Sequence, residues 1–226
     1  HFRRAGYTTA AVGKIHCPEY WIEDDADVFR EVSGCSIGGC PEYLAHVKQR
    51  GLTKELEESH LAKSSTGGQL LDGFPSRMPY RDCIDGWTAQ QAMDFIESAY
   101  QGEKPFFVHM SLPSPHEVYC PSQEFWDLYD DASVTLPPNS GYDMNLKAPN
   151  LCRQAELDRN GEWTQFEPRT FEAGRRRKLR GYYGLVSQVD HAVGDLLDLL
   201  DRLGIAEDTI VIYSTDHGDY ACEHDI

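Results

Sequence analysis

The chain has 226 residues, 40% of them hydrophobic and 26% charged, and a formal net charge of −16 at neutral pH. So acidic a chain argues against a nucleic-acid surface, which needs clustered Lys and Arg against phosphate, and no apolar run approaches the roughly 20 residues of a membrane span. Its seven cysteines contain no CxxC pair. Cys35 and Cys40, with His16 and Cys17 upstream, make a zinc site conceivable; the simpler reading is reduced thiols, which leans towards a reducing compartment.

Phe2 to Ala5 reads as the last turn of a helix closed by Gly6. Tyr7 to Val12 is strand-like and runs into Gly13-Lys14-Ile15-His16. Gly13 lets the backbone turn or approach a neighbour closely. Lys14 and His16 point to the same side of an extended chain, a fixed cation beside a titratable imidazole, which suits an anionic substrate. An exposed lysine and an incidental histidine would look the same. The acidic stretch 23–27 reads as a solvated loop. Pro41 to Arg50 fits an amphipathic helix with Tyr43, Leu44 and Val47 inward. Positions 51–81, rich in Gly, Ser, Thr and Pro, read as an excursion over the surface.

Thr88 to Tyr100 carries Ala92, Phe95, Ile96 and Ala99 at helical spacing. Pro105 then introduces Phe106 to Leu112, a nearly continuous apolar run expected to be a strand buried on both faces, with His109 a satisfied core residue. The strand leaves through Pro113-Ser114-Pro115-His116, where two prolines hold the exit rigid and fix the direction of His116. Residues 117–177 are aromatic, Pro-rich and irregular, with a turn or two of helix at Gln123 to Tyr129. Lys178 to Leu203 is the clearest helix, with Tyr182, Val186, Val189, Val193, Leu196, Leu200 and Leu203 as its apolar stripe. The basic run Arg175 to Arg180 reads as a solvated face, as do the acidic residues off the stripe. Thr209 to Tyr213 is β-branched and aromatic and is expected to be a buried strand. It delivers Asp216 and His217, a common pair of divalent-cation ligands, to a strand's carboxyl end, where α/β folds place their sites.

Four stretches stand in a fixed order: Gly6-Tyr-Thr-Thr-Ala-Ala-Val-Gly-Lys-Ile-His16, Pro105 to His116, Tyr183 to Gly204, and Thr209 to Gly218. Together they resemble the sulfatase family of the alkaline phosphatase superfamily. The resemblance implies an α/β fold with a mostly parallel central sheet flanked by helices, incomplete in this chain, as part of a single catalytic domain. It also implies hydrolysis of a small-molecule or glycan sulfate ester at one divalent cation, usually calcium, with manganese, magnesium or zinc as alternatives. In the family a Cys or Ser becomes formylglycine, whose hydrate attacks sulfur as the alcohol leaves. Carried over by motif, Asp216 and His217 would bind the metal and Lys14 would contact sulfate oxygens. His16 would help break down the covalent sulfate intermediate, and His116 would hydrogen-bond the sulfate and assist departure of the alcohol.

The chain departs from the family pattern in what it lacks. The paired Asp ligands and the C/S-x-P-S-R nucleophile motif are expected before His1, and a further lysine beyond Ile226. The chain is therefore expected to be an internal piece, inactive alone. Gly73-Phe-Pro-Ser-Arg77 imitates the nucleophile motif in the wrong place and reads as a chance match. The alternatives are a phosphonate or phosphate ester hydrolase of the same superfamily and a non-catalytic member that binds a sulfated ligand.

Overall fold

A computed structural model describes residues 1–15, 26–31, 40–59, 73–138, 149, 152–153 and 171–223. His16, Cys17 and Cys35 lie outside these residues. The chain divides into two compact units. The first comprises His1–Leu56, Met78–Ser114 and Gln188–Ile210; the second comprises Glu57–Arg77, Pro115–Ser187 and Val211–Ile226.

The first unit holds a three-stranded parallel sheet of β1 (Thr8–Gly13), β2 (Val28–Glu31) and β3 (Phe106–Ser111), in the order β2-β1-β3. β1 is central, and Ala10, Ala11 and Val12 are buried, as expected of a strand paired on both edges. The chain enters β1 through a short 3-10 turn, Arg3–Ala5, that Gly6 closes in the left-handed region at φ 93°. The tip of the acidic stretch is tied to this strand: Asp27 accepts from the Thr9 amide at 2.8 Å.

Helix α3 (Ile84–Tyr100) packs on β1 and β3. It begins four residues before its hydrophobic periodicity does, because Cys83 caps it, its sulfur accepting from the Gly86 amide. Met93, Phe95 and Ile96 meet Ala10 of β1 and Leu199 and Leu200 of the last helix in one apolar cluster. α1 (Pro41–Arg50) follows its expected bounds, with Tyr43 and Val47 buried. The expected surface excursion is corrected in part. Thr53–Ser59 is a helix, α2, with Leu56 buried, and Ser76, Met78 and Tyr80 are buried as well; apolar side chains at isolated positions are enough to pin a segment whose composition reads as loop.

Three further expectations are overturned. β3 alternates, with Phe107 and His109 exposed, so His109 is not a core residue. Among the described elements α3 covers one face of β3; Phe2 stacks on Phe107 on the other, ring centroids 4.0 Å apart. Thr209 to Tyr213 forms no strand, and Ile210 is 89% and Ile212 82% exposed. β-branched residues fit a pleated, half-buried surface, but their backbone becomes a strand only against a partner, and among the described residues none pairs with it. Through Ala192 the stripe of the last helix, α5 (Phe171–Leu203), is also rotated from its expected line, whereas near its end Leu200 is buried and Leu196 and Leu203 pack against the core cluster as expected. Leu179, Leu185, Gln188, Ala192 and Leu199 are buried, whereas Val186 is 43% exposed.

In the second unit the basic run is not solvated. Arg175 is buried and donates to the Cys222 carbonyl, and Arg176 donates to that of Val134. Arg180 donates to the Trp126 carbonyl at 3.1 Å at the end of α4 (Gln123–Trp126), and its guanidinium lies 4.2 Å from the Trp126 ring centroid. An irregular segment leaves backbone carbonyls without ladder partners, and a planar guanidinium satisfies them while stacking on an aromatic face. Gly73 has a packing role here: a Cβ on it would lie 1.9 Å from the Arg177 carbonyl oxygen.

Candidate active site

The first unit brings the ends of β1 and β3 together. At Gly13 the backbone takes φ +109°, and a Cβ there would sit 1.9 Å from the Ser111 carbonyl oxygen. Only glycine meets both conditions. The next residue is pinned from both sides: the Lys14 amide donates to the Ser111 carbonyl at 2.9 Å, and the Ser111 hydroxyl donates to the Lys14 carbonyl at 2.6 Å. Lys14 therefore stands at the carboxyl end of the central strand with a fixed backbone and a half-buried side chain, where α/β sheets place ligands.

Three residues beyond Ser111 the β3 exit is held again. The Ser114 hydroxyl donates to Asp85 Oδ2 at 2.6 Å and its amide to Asp85 Oδ1 at 3.3 Å. Gln188 Nε2 donates to the same Oδ2 at 2.6 Å. Asp85 lies in the first turn of α3 and is 1% exposed. Burial pushes its pKa up, a shift that the bonds from Ser114 and Gln188 oppose without cancelling. Sequence reasoning missed Asp85. No motif surrounds it, and only the fold gathers positions 85, 114 and 188.

The second unit holds His116, Asp216 and His217. His116 Nδ1 lies 2.8 Å from the Glu117 carbonyl and 3.2 Å from the Glu117 carboxylate. A carbonyl only accepts, so Nδ1 carries the proton in that bond and the ring's orientation is set. Asp216 and His217 are exposed and face each other, Nε2 to Oδ2 at 3.4 Å. His217 Nδ1 lies 2.8 Å from the Gly218 carbonyl. A metal-binding histidine commonly donates its second ring nitrogen to a carbonyl in this way, and a carboxylate with an imidazole suits a divalent cation. The two side chains fit as part of a ligand set; among the described residues no group of three His, Cys, Asp or Glu converges.

Two contacts position this turn within the second unit. The Tyr119 hydroxyl, three residues after His116, donates to Asp219 Oδ2 at 3.3 Å, three residues after Asp216. Arg175 holds the Cys222 carbonyl, and the Cys222 thiol donates back to the Arg175 carbonyl at 3.8 Å. The basic run thus tethers the candidate metal turn, a role that charge pattern alone does not reveal.

A model of the sulfatase family matches residues 1–225. The chain belongs to the sulfatase family. Among its relatives, a choline-sulfatase from Rhizobium meliloti (strain 1021) is 26% identical over 222 residues, which cover 97% of this chain and 41% of that protein. The iduronate 2-sulfatase of Homo sapiens is 28% identical over 232 residues, covering 99% of this chain and 40% of that protein. This chain thus spans about two fifths of the length of these relatives. Among solved structures, a phosphonate monoester hydrolase from Silicibacter pomeroyi superposes with a TM-score of 0.72 at 19% identity, covering 99% of this chain and 47% of that one. That likeness shows the fold, an alkaline-phosphatase-like α/β architecture present here in part.

Proposed function

We propose that the full-length protein hydrolyses an organic sulfate ester to an alcohol and sulfate. The observation that carries this reading is the family match along residues 1–225, in a chain whose Lys14 is held at the carboxyl end of the central strand. The ammonium of Lys14 binds sulfate oxygens as a point charge. With Nδ1–H engaged by the Glu117 carbonyl, His116, on the rigid exit from β3, would donate a proton carried on Nε2, first as a hydrogen bond to the sulfate and then to the departing oxygen, and charge developing on that oxygen makes such a donor count most in the transition state. His16 would take the role that its motif implies, helping to break down the covalent sulfate intermediate. Asp216 and His217 would hold one divalent cation, calcium by family habit or manganese, magnesium or zinc, which supplies Lewis-acid polarisation when bound. The formylglycine nucleophile of the family belongs to the same reading. The relatives named choline-sulfatase and iduronate 2-sulfatase frame the substrate class as a small-molecule or glycan sulfate ester.

The test is turnover of an aryl sulfate by the full-length protein and its His116→Ala variant. The expected loss is about 100-fold or more, the scale of a lost general acid, with little change in the urea midpoint. Unchanged turnover would overturn the assignment of His116. An aryl phosphonate run in parallel decides the reaction class: faster hydrolysis of the phosphonate than of the sulfate would replace this reading with the phosphonate one.

A further inference from the structure

The exit of β3 is held by a side chain that no motif includes. Asp85 is 1% exposed, yet it accepts three hydrogen bonds, from the Ser114 hydroxyl, the Ser114 amide and Gln188 Nε2. A buried carboxylate is a poor way to add stability, because desolvation offsets most of what its bonds return, and an apolar residue of similar volume often serves as well. What such a group does supply is a unique geometry. Here it fixes one residue, Ser114, which has Pro113 before it and Pro115 after it. Pro115 locks the one φ that lies between the anchored serine and His116 and, as the following residue, restricts the backbone of Ser114, so the chain between them has reduced freedom.

We infer that Asp85 is a positioning residue for the reaction: through Ser114 it sets the direction in which the β3 exit delivers His116. This rests on the proposed role of His116. Both carboxylate oxygens are in use, Oδ2 for two donors and Oδ1 for a third. Asn at this position keeps the volume but places an amide donor against at least one of those donors. The exit is then released or re-aimed. A misplacement of about 1 Å at a reacting group costs on the order of 100-fold in rate.

The experiment is a double-mutant cycle in the full-length protein with an aryl sulfate as substrate. Asp85→Asn is expected to lower kcat about 10- to 100-fold with less than about 3-fold change in KM, as loss of a transition-state contact does. In the His116→Ala background the same change is expected to lower kcat less than about 3-fold, because the group it positions is gone. If the two losses multiply, Asp85 acts independently of His116 and the inference is overturned. If His116→Ala alone turns over normally, the reading of His116 fails, and with it this one. Should Asp85→Asn not fold, Ser114→Ala removes only the hydroxyl bond and Ser114→Thr keeps a hydroxyl. Loss of kcat in the first with recovery in the second supports the inference, and normal kcat in Ser114→Ala overturns it.

Discussion

Two aspartates three positions apart, Asp82 and Asp85, show how environment divides one residue type. Asp82 is buried, which alone would raise its pKa. Its oxygens accept from Arg50 Nε at 2.9 Å and Arg50 Nη2 at 3.2 Å, and His46 Nε2 lies 2.9 Å away. These bonds and charges outweigh burial and hold the carboxyl below its ordinary value. Asp85, with only neutral partners, is held above its ordinary value by burial. The signs of their linkage to stability are therefore opposite. The contribution of Asp82 is complete above the unfolded carboxyl value of about 3.9 and is lost as pH falls through its lower folded value. Ionising Asp85 costs stability as pH rises from about 3.9 to its raised folded value. Urea midpoints measured from acid to neutral pH are expected to fall less on acidification in Asp82→Asn than in the parent. In Asp85→Asn the loss towards neutral pH is expected to disappear. Parallel curves for parent and Asp82→Asn would show that the Arg50 and His46 bonds do not persist in solution.

At the scale of elements, β1 and its glycine were legible in the sequence because one local rule suffices for each. A β-branched and small-residue run makes a central strand, and a glycine at its end signals positive φ or close approach. Both signals hold at Gly13. The capped start of α3 at Cys83 was not legible, since a thiol is a weak cap and the helical period begins only at Thr88. Nor was the rotation of α5 through Ala192, because Gln188 takes an inward position that a search for apolar residues skips, and it does so to reach Asp85; the end of the stripe, Leu196, Leu200 and Leu203, was legible. The segment 209–213 shows the converse. Its composition is that of a strand, but pairing is a property of two segments, and sequence reads one. Gly13 yields the prediction at this scale. In Gly13→Ala the new methyl would lie 1.9 Å from the Ser111 carbonyl oxygen and 3.1 Å from Thr88 Cγ2, at φ +109°. β1 and β3 must part at the site end. The expected cost is roughly 2–4 kcal/mol, the range of a strained backbone combined with overpacking, read as a lower urea midpoint. A Gly6→Ala control, also at positive φ but with nothing within 4 Å of its Cβ, is expected to cost only about 1 kcal/mol. Equal losses in the two would mean that the close approach at Ser111 is not what Gly13 is for.

At the scale of the whole molecule the dominant fact is a formal net charge of −16. Such a chain repels itself, and it repels a sulfate ester unless cationic groups are concentrated where the ester binds. In the proposed reading Lys14 would be one such group, and a cation on Asp216 and His217 would be another. Both side chains are exposed, and their oxygen and nitrogen face each other at 3.4 Å. A cation bound by these two side chains would add a specific contribution to stability that general screening by salt does not. Linkage sets its size: at a free cation concentration 100 times Kd the gain is about 2.7 kcal/mol. The full-length protein is expected to unfold at a higher temperature with calcium than with a chelator, at constant ionic strength. Asp216→Asn is expected to lose that difference and to retain less metal by elemental analysis, while its response to sodium chloride stays that of the parent. If the variant keeps full occupancy and the calcium shift, Asp216 is not a ligand. If parent and variant respond alike to calcium and to sodium chloride at matched ionic strength, the cation acts only by screening the acidic surface.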